Sequence, residues 1–136
     1  MKKQFSKSWI GSRQVRKQRK FRANAPQHIR KKMLSAHLSK ELREKYNRRA
    51  FPVRKGDTVK IMNGENKGKT GKISVVDMTK IRVAIEGIQI AKKDGTKVNI
   101  FFAPSNLKIT ELNLEDKMRL DSIKKPENKT KLEAKK

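Results

Sequence analysis

The sequence predicts a mainly β protein: one small antiparallel barrel, preceded by a basic arm and short helices. Three observations support this fold class. From Asp57 onward, apolar residues alternate with polar ones, as they do in half-buried strands. Glycine and aspartate turns separate the short alternating runs. Only 34% of the 136 residues are hydrophobic, so the core is small and much of the chain is expected to lie outside it.

Residues 1–23 are predicted to form a basic arm that binds nucleic acid. The chain has 37 Lys and Arg against 13 Asp and Glu, a formal net charge of +24, and no acidic residue before Glu41. Such an arm repels itself and has few apolar groups to offset chain entropy, so we expect it to be disordered until it meets a polyanion. Its aromatic residues, Phe5, Trp9 and Phe21, can stack on unpaired bases.

Residues 24–50 are predicted to contain two short helices. The Asn-Ala-Pro run at residues 24–26 is typical of a helix start, because the missing proline N–H costs nothing in the first turn. The first helix is expected over about 26–35. Ser39 can cap a second helix that continues to Tyr46. An apolar stripe expected to pack on the barrel consists of Leu38, Leu42 and Tyr46.

Residues 51–112 are predicted to form the barrel, with about six short strands. The apolar runs that mark them are Val59 and Ile61; Ile73 and Val75; Ile81, Val83 and Ile85; Ile88 and Ile90; Val98, Ile100 and Phe102; Leu107 and Ile109. Closing the sheet into a barrel removes its exposed edges. The Pro-Ser-Asn run at residues 104–106 interrupts the last two strands and predicts a short turn of helix.

Residues 113–136 are predicted to form a C-terminal helix and a charged tail. Glu115 and Asp116 fall in the first turn of that helix, where carboxylates interact favourably with the helix dipole. The mixed-charge stretch from Lys124 to Lys136 is expected to be disordered.

Several classes of function are disfavoured by what the sequence lacks. The chain has no cysteine, so disulfides and thiolate zinc sites are excluded, and His28 and His37 lack the spacing of a metal-binding pair. It has no apolar run near the roughly 20 residues of a membrane span, and no signal peptide is recognised. No paired-carboxylate, Ser/His or metal constellation supports an enzyme. A cytoplasmic, non-enzymatic protein without a cofactor is expected.

The most specific motif is the string VRKGDTVKIMNGENKGKTGKI at residues 53–73. It predicts a strand, a tight glycine-rich loop and a second strand. Gly64, Gly68 and Gly71 permit positive φ or close backbone approach. With lysines around it, such a loop can press against a sugar–phosphate backbone. For an isolated loop, a plain hairpin with solvated lysines would be the favoured interpretation.

The same loop imitates a nucleotide-binding P-loop. Gly-Lys-Thr at residues 68–70 fits that motif, but Asn63 stands where the first glycine is required. A P-loop leads into a long helix of a parallel α/β sheet, whereas here the next residues alternate as another strand. The sequence context therefore argues against an NTPase.

The string at residues 53–73 resembles a KOW motif, with its fixed glycine at Gly68. Further upstream segments are similar to a KOW-bearing ribosomal protein family of the large subunit, number twenty-four in the universal naming, in its archaeal and eukaryotic form. These segments are residues 24–32, 38–43 and 46–49.

Two later segments extend the resemblance. Residues 94–96 and 104–106 correspond to the later hairpin and turn of that family, although Ala103 replaces a histidine found in many members. The replacement removes one polar contact but not the turn. The resemblance covers about residues 16–112, with 1–15 and 113–136 matching poorly.

The resemblance implies an SH3-like barrel bound to the 5′ region of large-subunit ribosomal RNA. It further implies a place near the polypeptide exit tunnel, with neighbouring large-subunit proteins as partners, and an early role in subunit assembly. Together, charge and motif predict an RNA-binding set in the arm, the first helix, the segment after the second helix and the glycine loop. It consists of Arg13, Arg16, Lys17, Arg19, Lys20, Arg22, His28, Arg30, Lys31, Lys32, Arg48, Arg49, Arg54, Lys55, Asn63, Gly64, Lys67, Gly68, Lys69 and Lys72.

A regulatory KOW module that binds RNA or RNA polymerase is the alternative interpretation. Such modules generally occur within longer chains and lack an acid-free arm of this length. A protein-docking module is also expected to expose an apolar patch in place of dense Lys and Arg.

Overall fold

The computed structural model describes Phe5 and residues 11–124. The predictions made for Trp9 and for the tail beyond residue 124 lie outside these residues. The helices are α1 Val15–Asn24, α2 Gln27–Met33, α3 Lys40–Tyr46 and α4 Lys117–Lys124. The strands are β1 Ser35–Leu38, β2 Ala50–Pro52, β3 Thr58–Ile61, β4 Thr70–Asp77, β5 Arg82–Ala91, β6 Lys97–Phe102 and β7 Leu107–Glu111. One turn of 3₁₀ helix, Pro104–Asn106, confirms the helical turn predicted there.

The strands form one barrel-like sheet in the order β2-β1-β7-β3-β4-β5-β6. All neighbours are antiparallel except β1 and β7, which run parallel. The alternating residues of the central strands point into one core, where Val59, Ile61, Ile73, Val83 and Ile109 have no solvent exposure. The predicted mainly β fold class is confirmed.

The third and fourth predicted strands are one continuous strand, β5. The alternation changes phase between Ile85 and Ile88, which suggested a break. In the structure the pairing register with β6 shifts between Ala84 and Gln89, and Gly87 adopts φ +77° within the strand. An irregularity of this kind bends a strand and changes which residues point towards the core, but it does not end the strand.

Strands β1 and β2 were not predicted, because β1 contains Leu38, whose spacing to Leu42 and Tyr46 indicated a helix, and β2 has only three residues. β1 pairs with both β2 and β7. Leu38 therefore lies fully buried in a strand, whereas the prediction placed it in a helical stripe. The first helix ends at Met33, two residues earlier than expected, because the chain turns into β1.

The second helix has the predicted cap and the predicted packing. The N–H of Leu42 donates to the Ser39 hydroxyl oxygen at 3.3 Å, which satisfies one of the free N–H groups at the helix start. Leu42 and Tyr46 are partly buried against the core. The helix ends at Asn47 in the left-handed conformation, as is common at helix ends.

Helix α1 occupies the second half of the arm, where disorder was expected. Its sequence, VRKQRKFRAN, is rich in Arg, Lys and Gln, which favour helices even when nothing packs against them. No residue of α1 is buried. A side-chain nitrogen of Arg30 in α2 donates to the Ala23 carbonyl oxygen at 2.7 Å and links the two helices.

A buried ion pair fastens the C-terminal helix to the barrel. Both carboxylate oxygens of Asp57 accept from the Arg119 guanidinium, at 2.7 and 2.6 Å. Asp57 also accepts from the backbone N–H of Arg54 at 2.8 Å and of Asn113 at 3.0 Å. Arg119 lies over the Phe51 ring, 5.5 Å from its centre. Since Ile123 is also buried in the core, α4 packs as part of the β domain.

Candidate nucleic-acid interface

The glycine loop between β3 and β4 is a tight, exposed turn. Gly64 and Gly68 adopt φ +91° and +89°, which other residues rarely tolerate. The Gly68 N–H donates to the Ile61 carbonyl oxygen at 2.9 Å, and the Lys67 N–H donates to the Gly64 carbonyl oxygen at 3.0 Å. A Cβ added at either glycine would meet no atom within 4 Å. The loop therefore leaves open space outside both glycines.

Gly71 allows β4 to lie close to β5, which is the second role predicted for these glycines. A Cβ added there would lie 2.7 Å from a methyl of Ile85 and 3.1 Å from the Glu86 carbonyl oxygen. Any larger residue would push β4 away from β5 and disturb the base of the loop.

The predicted polar residues of the loop and of strand β4 face solvent. Asn63, Lys67, Lys69 and Lys72 are exposed, as are both loop glycines. Lys69 Nζ donates to the Asn66 side-chain oxygen at 2.9 Å. The Met62 N–H donates to the Asn106 carbonyl oxygen at 2.8 Å and ties the loop to the 3₁₀ turn. Asn63, Lys67 and Lys72 can therefore contact a polyanion directly, and Lys69 can do so beside its hydrogen bond to Asn66.

A row of basic side chains crosses the outer face of the sheet beside the loop. Lys60 of β3 is in register with Lys108 of β7, and Lys108 is in register with His37 of β1. The other neighbour of Lys60 is Thr70, so the row contains no carboxylate. Like charges directly opposite each other destabilise a sheet, so the pair of lysines favours a polyanionic partner. Lys60 and Lys108 were not among the predicted RNA contacts, because only the strand register brings them together.

Arg54 is engaged within the protein. Its guanidinium donates to the Asp116 carboxylate at 2.5 Å, close to the start of α4. This hydrogen bond, together with one from the Met118 N–H, holds the pKa of the Asp116 carboxyl below its ordinary value. Both side chains remain substantially exposed, so Arg54 contacts a phosphate only by sharing its charge with Asp116. Its neighbour Lys55 is exposed.

Three further predicted residues, Lys17, Arg30 and Arg48, are half-buried. Arg30 holds Ala23, as described above, and Arg48 lies over the Phe51 ring at 5.8 Å from its centre. Part of their contact capacity is therefore used inside the protein. The remaining predicted residues are exposed on α1, α2 and the segments beside them: Arg13, Arg16, Arg19, Lys20, Arg22, His28, Lys31, Lys32 and Arg49.

Phe5 and residues 11–124 contain no group of three or more His, Asp or Glu residues placed to hold a metal ion. In the same residues, no helix has the length and apolar character that crossing a membrane requires. The chemistry that the surface does offer is multiple cationic contacts around a close-fitting backbone loop, which suits a sugar–phosphate chain.

The comparison with protein families matches residues 12–126 to the family of the eukaryotic L26 and archaeal L24 ribosomal proteins. The chain belongs to this family. Curated relatives align with this chain over nearly their whole length. One is the large ribosomal subunit protein uL24 of Methanoculleus marisnigri, 52% identical over 84% of this chain and 94% of the relative. Another, of the same name, is from Methanospirillum hungatei, at 50% identity over 79% of this chain and 90% of the relative.

The family match corrects the extent of the resemblance noted in the sequence. It runs to residue 126, whereas the motifs alone reached about residue 112. The structure supplies the reason, because Arg119 and Ile123 of α4 are buried against the barrel. The C-terminal helix is therefore part of the family domain, although its surface sequence gave no motif.

Proposed function

We propose that this chain holds large-subunit ribosomal RNA with its glycine loop, the basic row beside it, and the arm. As a member of a ribosomal protein family, it is a structural and non-enzymatic component of the ribosome. The single observation that carries the proposal is the in-register pair Lys60 and Lys108 next to the open loop. A chain that pairs like charges on its surface is stabilised by a partner that neutralises them.

The proposed place is the 5′ region of the large-subunit RNA, near the polypeptide exit tunnel, among neighbouring large-subunit proteins. Binding there in the cytoplasm would bring converging RNA helices together early in subunit assembly. The support is the family membership joined to a net charge of +24, which lets one small domain neutralise several phosphates at once. In this proposal shape and charge place the protein, and the loop fixes its register on the backbone.

The test is binding of the full chain to RNA fragments that cover the 5′ and 3′ regions of the large-subunit RNA. We expect tighter binding to the 5′ fragment at moderate salt, and weaker binding after Lys60→Gln with Lys108→Gln. The matched control is Lys92→Gln with Lys97→Gln, which removes the same charge from exposed positions outside the predicted set. Equal affinity for both fragments would contradict the proposed place, and equal effects of the two double variants would contradict the basic row.

The partner that the protein binds distinguishes a ribosomal protein from the alternative, a regulatory KOW module. A module that binds RNA polymerase would co-sediment with the polymerase and wash off large subunits at moderate salt. The family match over residues 12–126 favours the ribosomal interpretation, and co-sedimentation with large subunits after such a wash is the result that we expect.

A further inference from the structure

An open groove of about 710 Å³ lies between α1 and the outer face of the β5–β6 hairpin. Phe21 and Arg22 of α1 line one side, and Lys80, Arg82 and Phe101 line the other. We call it the aromatic groove. Its volume is within the range of roughly 300–1,000 Å³ that is typical of small-molecule sites.

The groove offers aromatic surface that the core does not use. Phe101 is 42% exposed although it stands on a strand beside the fully buried Ala84. Phe21 lies across the groove, half-buried, with its ring centre 4.8 Å from that of Phe5. Phenyl rings at an open cleft are the surfaces on which proteins stack unpaired bases.

The same groove carries an excess of positive charge. Arg22, Lys80 and Arg82 are exposed, and none of them has an ion-pair partner among the residues that the structure describes. No Asp or Glu lines the groove. Asp77 is in register with Arg82 across β4 and β5, and its carboxylate accepts from the N–H groups of Thr79 at 2.9 Å and Lys80 at 3.0 Å. The three cations of the groove therefore have one carboxylate beside them.

A strained turn presents two of these cations. Ile81 adopts φ +55°, a left-handed conformation that is rare for a β-branched residue. The turn places Lys80 and Arg82 on either side of Ile81 at the edge of the groove. Strain of this kind persists where the surrounding structure enforces it, and it is concentrated at binding sites.

We propose that the aromatic groove binds one unstacked nucleotide of an RNA strand. The base would lie on Phe101 with Phe21 opposite, while Arg22, Lys80 and Arg82 contact the flanking phosphates. This inference rests on the proposed function and deepens it, because it names a base contact beside the backbone contacts. No residue of α1 is buried, and the groove separates the helix from the sheet. An RNA strand would fill that space.

The test measures binding of the full chain to a labelled uridine hexamer and to an abasic hexamer with the same backbone. We expect the uridine hexamer to bind about tenfold more tightly, since stacking on one aromatic side chain is worth roughly that factor or more. Phe101→Leu keeps an apolar side chain but should abolish this preference while leaving the affinity for the abasic hexamer unchanged. Arg82→Gln should weaken binding of both hexamers severalfold.

Val75→Ala is the matched control, because Val75 is 44% exposed on the same outer face but does not line the groove. Equal binding of the two hexamers by the unmodified chain would overturn the proposal. So would equal losses from Val75→Ala and Phe101→Leu, or tighter binding of a glutamate hexapeptide than of the uridine hexamer. If the chain prefers the uridine hexamer to the abasic one but does not prefer the 5′ fragment of large-subunit RNA, the groove proposal holds and the proposed function is contradicted. If it prefers the 5′ fragment but binds both hexamers equally, the proposed function holds and the groove proposal is contradicted.

Discussion

At the scale of single residues, the three glycines of the motif meet two different requirements: close packing of two strands, and a positive φ in the loop. Gly71 is needed by the protein itself, because a side chain there strikes β5. Gly64 and Gly68 are needed for their positive φ, and nothing in the free protein occupies the space beyond them. An RNA backbone can therefore approach these two positions without displacing any protein atom.

Gly68→Ala is expected to weaken binding to large-subunit RNA more than Gly64→Ala does. Both substitutions impose similar strain, because the two φ angles differ by only 2° between +91° and +89°. We expect a similar destabilisation from each, about 1 kcal/mol, in urea unfolding. Gly68, the fixed glycine of the KOW motif, is expected to lie closer to the RNA than Gly64 does, so a methyl group at Gly68 adds the larger clash. RNA affinities that fall equally for the two variants would count against contact at Gly68. Lys69→Ala should weaken binding less than Gly68→Ala does.

At the scale of elements, the buried pair of Asp57 and Arg119 sets the position of α4. The Asp57 carboxylate accepts from the Arg119 guanidinium and from the Asn113 N–H, so removing its charge leaves Arg119 as a buried cation without a counter-ion. Breaking a buried pair by removing one partner generally costs about 3–5 kcal/mol. The exposed pair of Arg54 and Asp116 stands next to it and has little effect on stability, because water screens it.

Asp57→Asn is therefore expected to lower the free energy of unfolding by about 3 kcal/mol, measured by urea denaturation. Asp116→Asn is the control, since it breaks the neighbouring exposed pair without burying a charge, and its effect should be much smaller. If both substitutions destabilise the chain to the same extent, the buried pair does not fasten α4.

Helix α1 is the element that depends most on a partner. It has no buried residue, and a short helix without tertiary packing is only marginally stable in water. We expect the backbone amides of residues 15–24 to exchange rapidly in the free chain and to become protected on large-subunit RNA. Amide exchange of β3 and β4 gives the internal standard, because their core residues are fully buried. Strong protection of α1 without RNA would show that the helix is stable on its own.

At the scale of the whole molecule, the strands with alternating apolar residues could be predicted from the sequence. Features that depend on how the strands pair could not. Alternation located the strands from Thr58 to Glu111, but it divided β5 into two and did not show that Val75, Ile90 and Val98 are exposed. It did not reveal β1, where the spacing of Leu38, Leu42 and Tyr46 indicated a helix, or the three-residue strand β2. Nor did it reveal the positive φ of Ile81. The same limit applies to the site: the loop was predictable from its glycines and lysines. In contrast, Lys60 and Lys108 lie 48 residues apart in the chain and are brought into register only by the sheet.

The central claim is that the position of the basic residues, and not only their number, binds large-subunit RNA. The measurement is affinity for a large-subunit RNA fragment over a salt series. One variant replaces four exposed arm residues with glutamine: Arg13, Arg16, Arg19 and Lys20. The control replaces four exposed lysines outside the predicted set: Lys40, Lys92, Lys93 and Lys97. Both variants lose the same charge, and glutamine preserves the helical preference of α1.

Each lost phosphate contact should flatten the slope of log affinity against log salt by about 0.7–0.9. We predict that the arm variant has a slope shallower by about 2–3 than the unmodified chain, that it still prefers its site, and that the control variant changes the slope by less than about 1. Equal slopes for the unmodified chain and the arm variant, or equal changes in the two variants, would contradict the account.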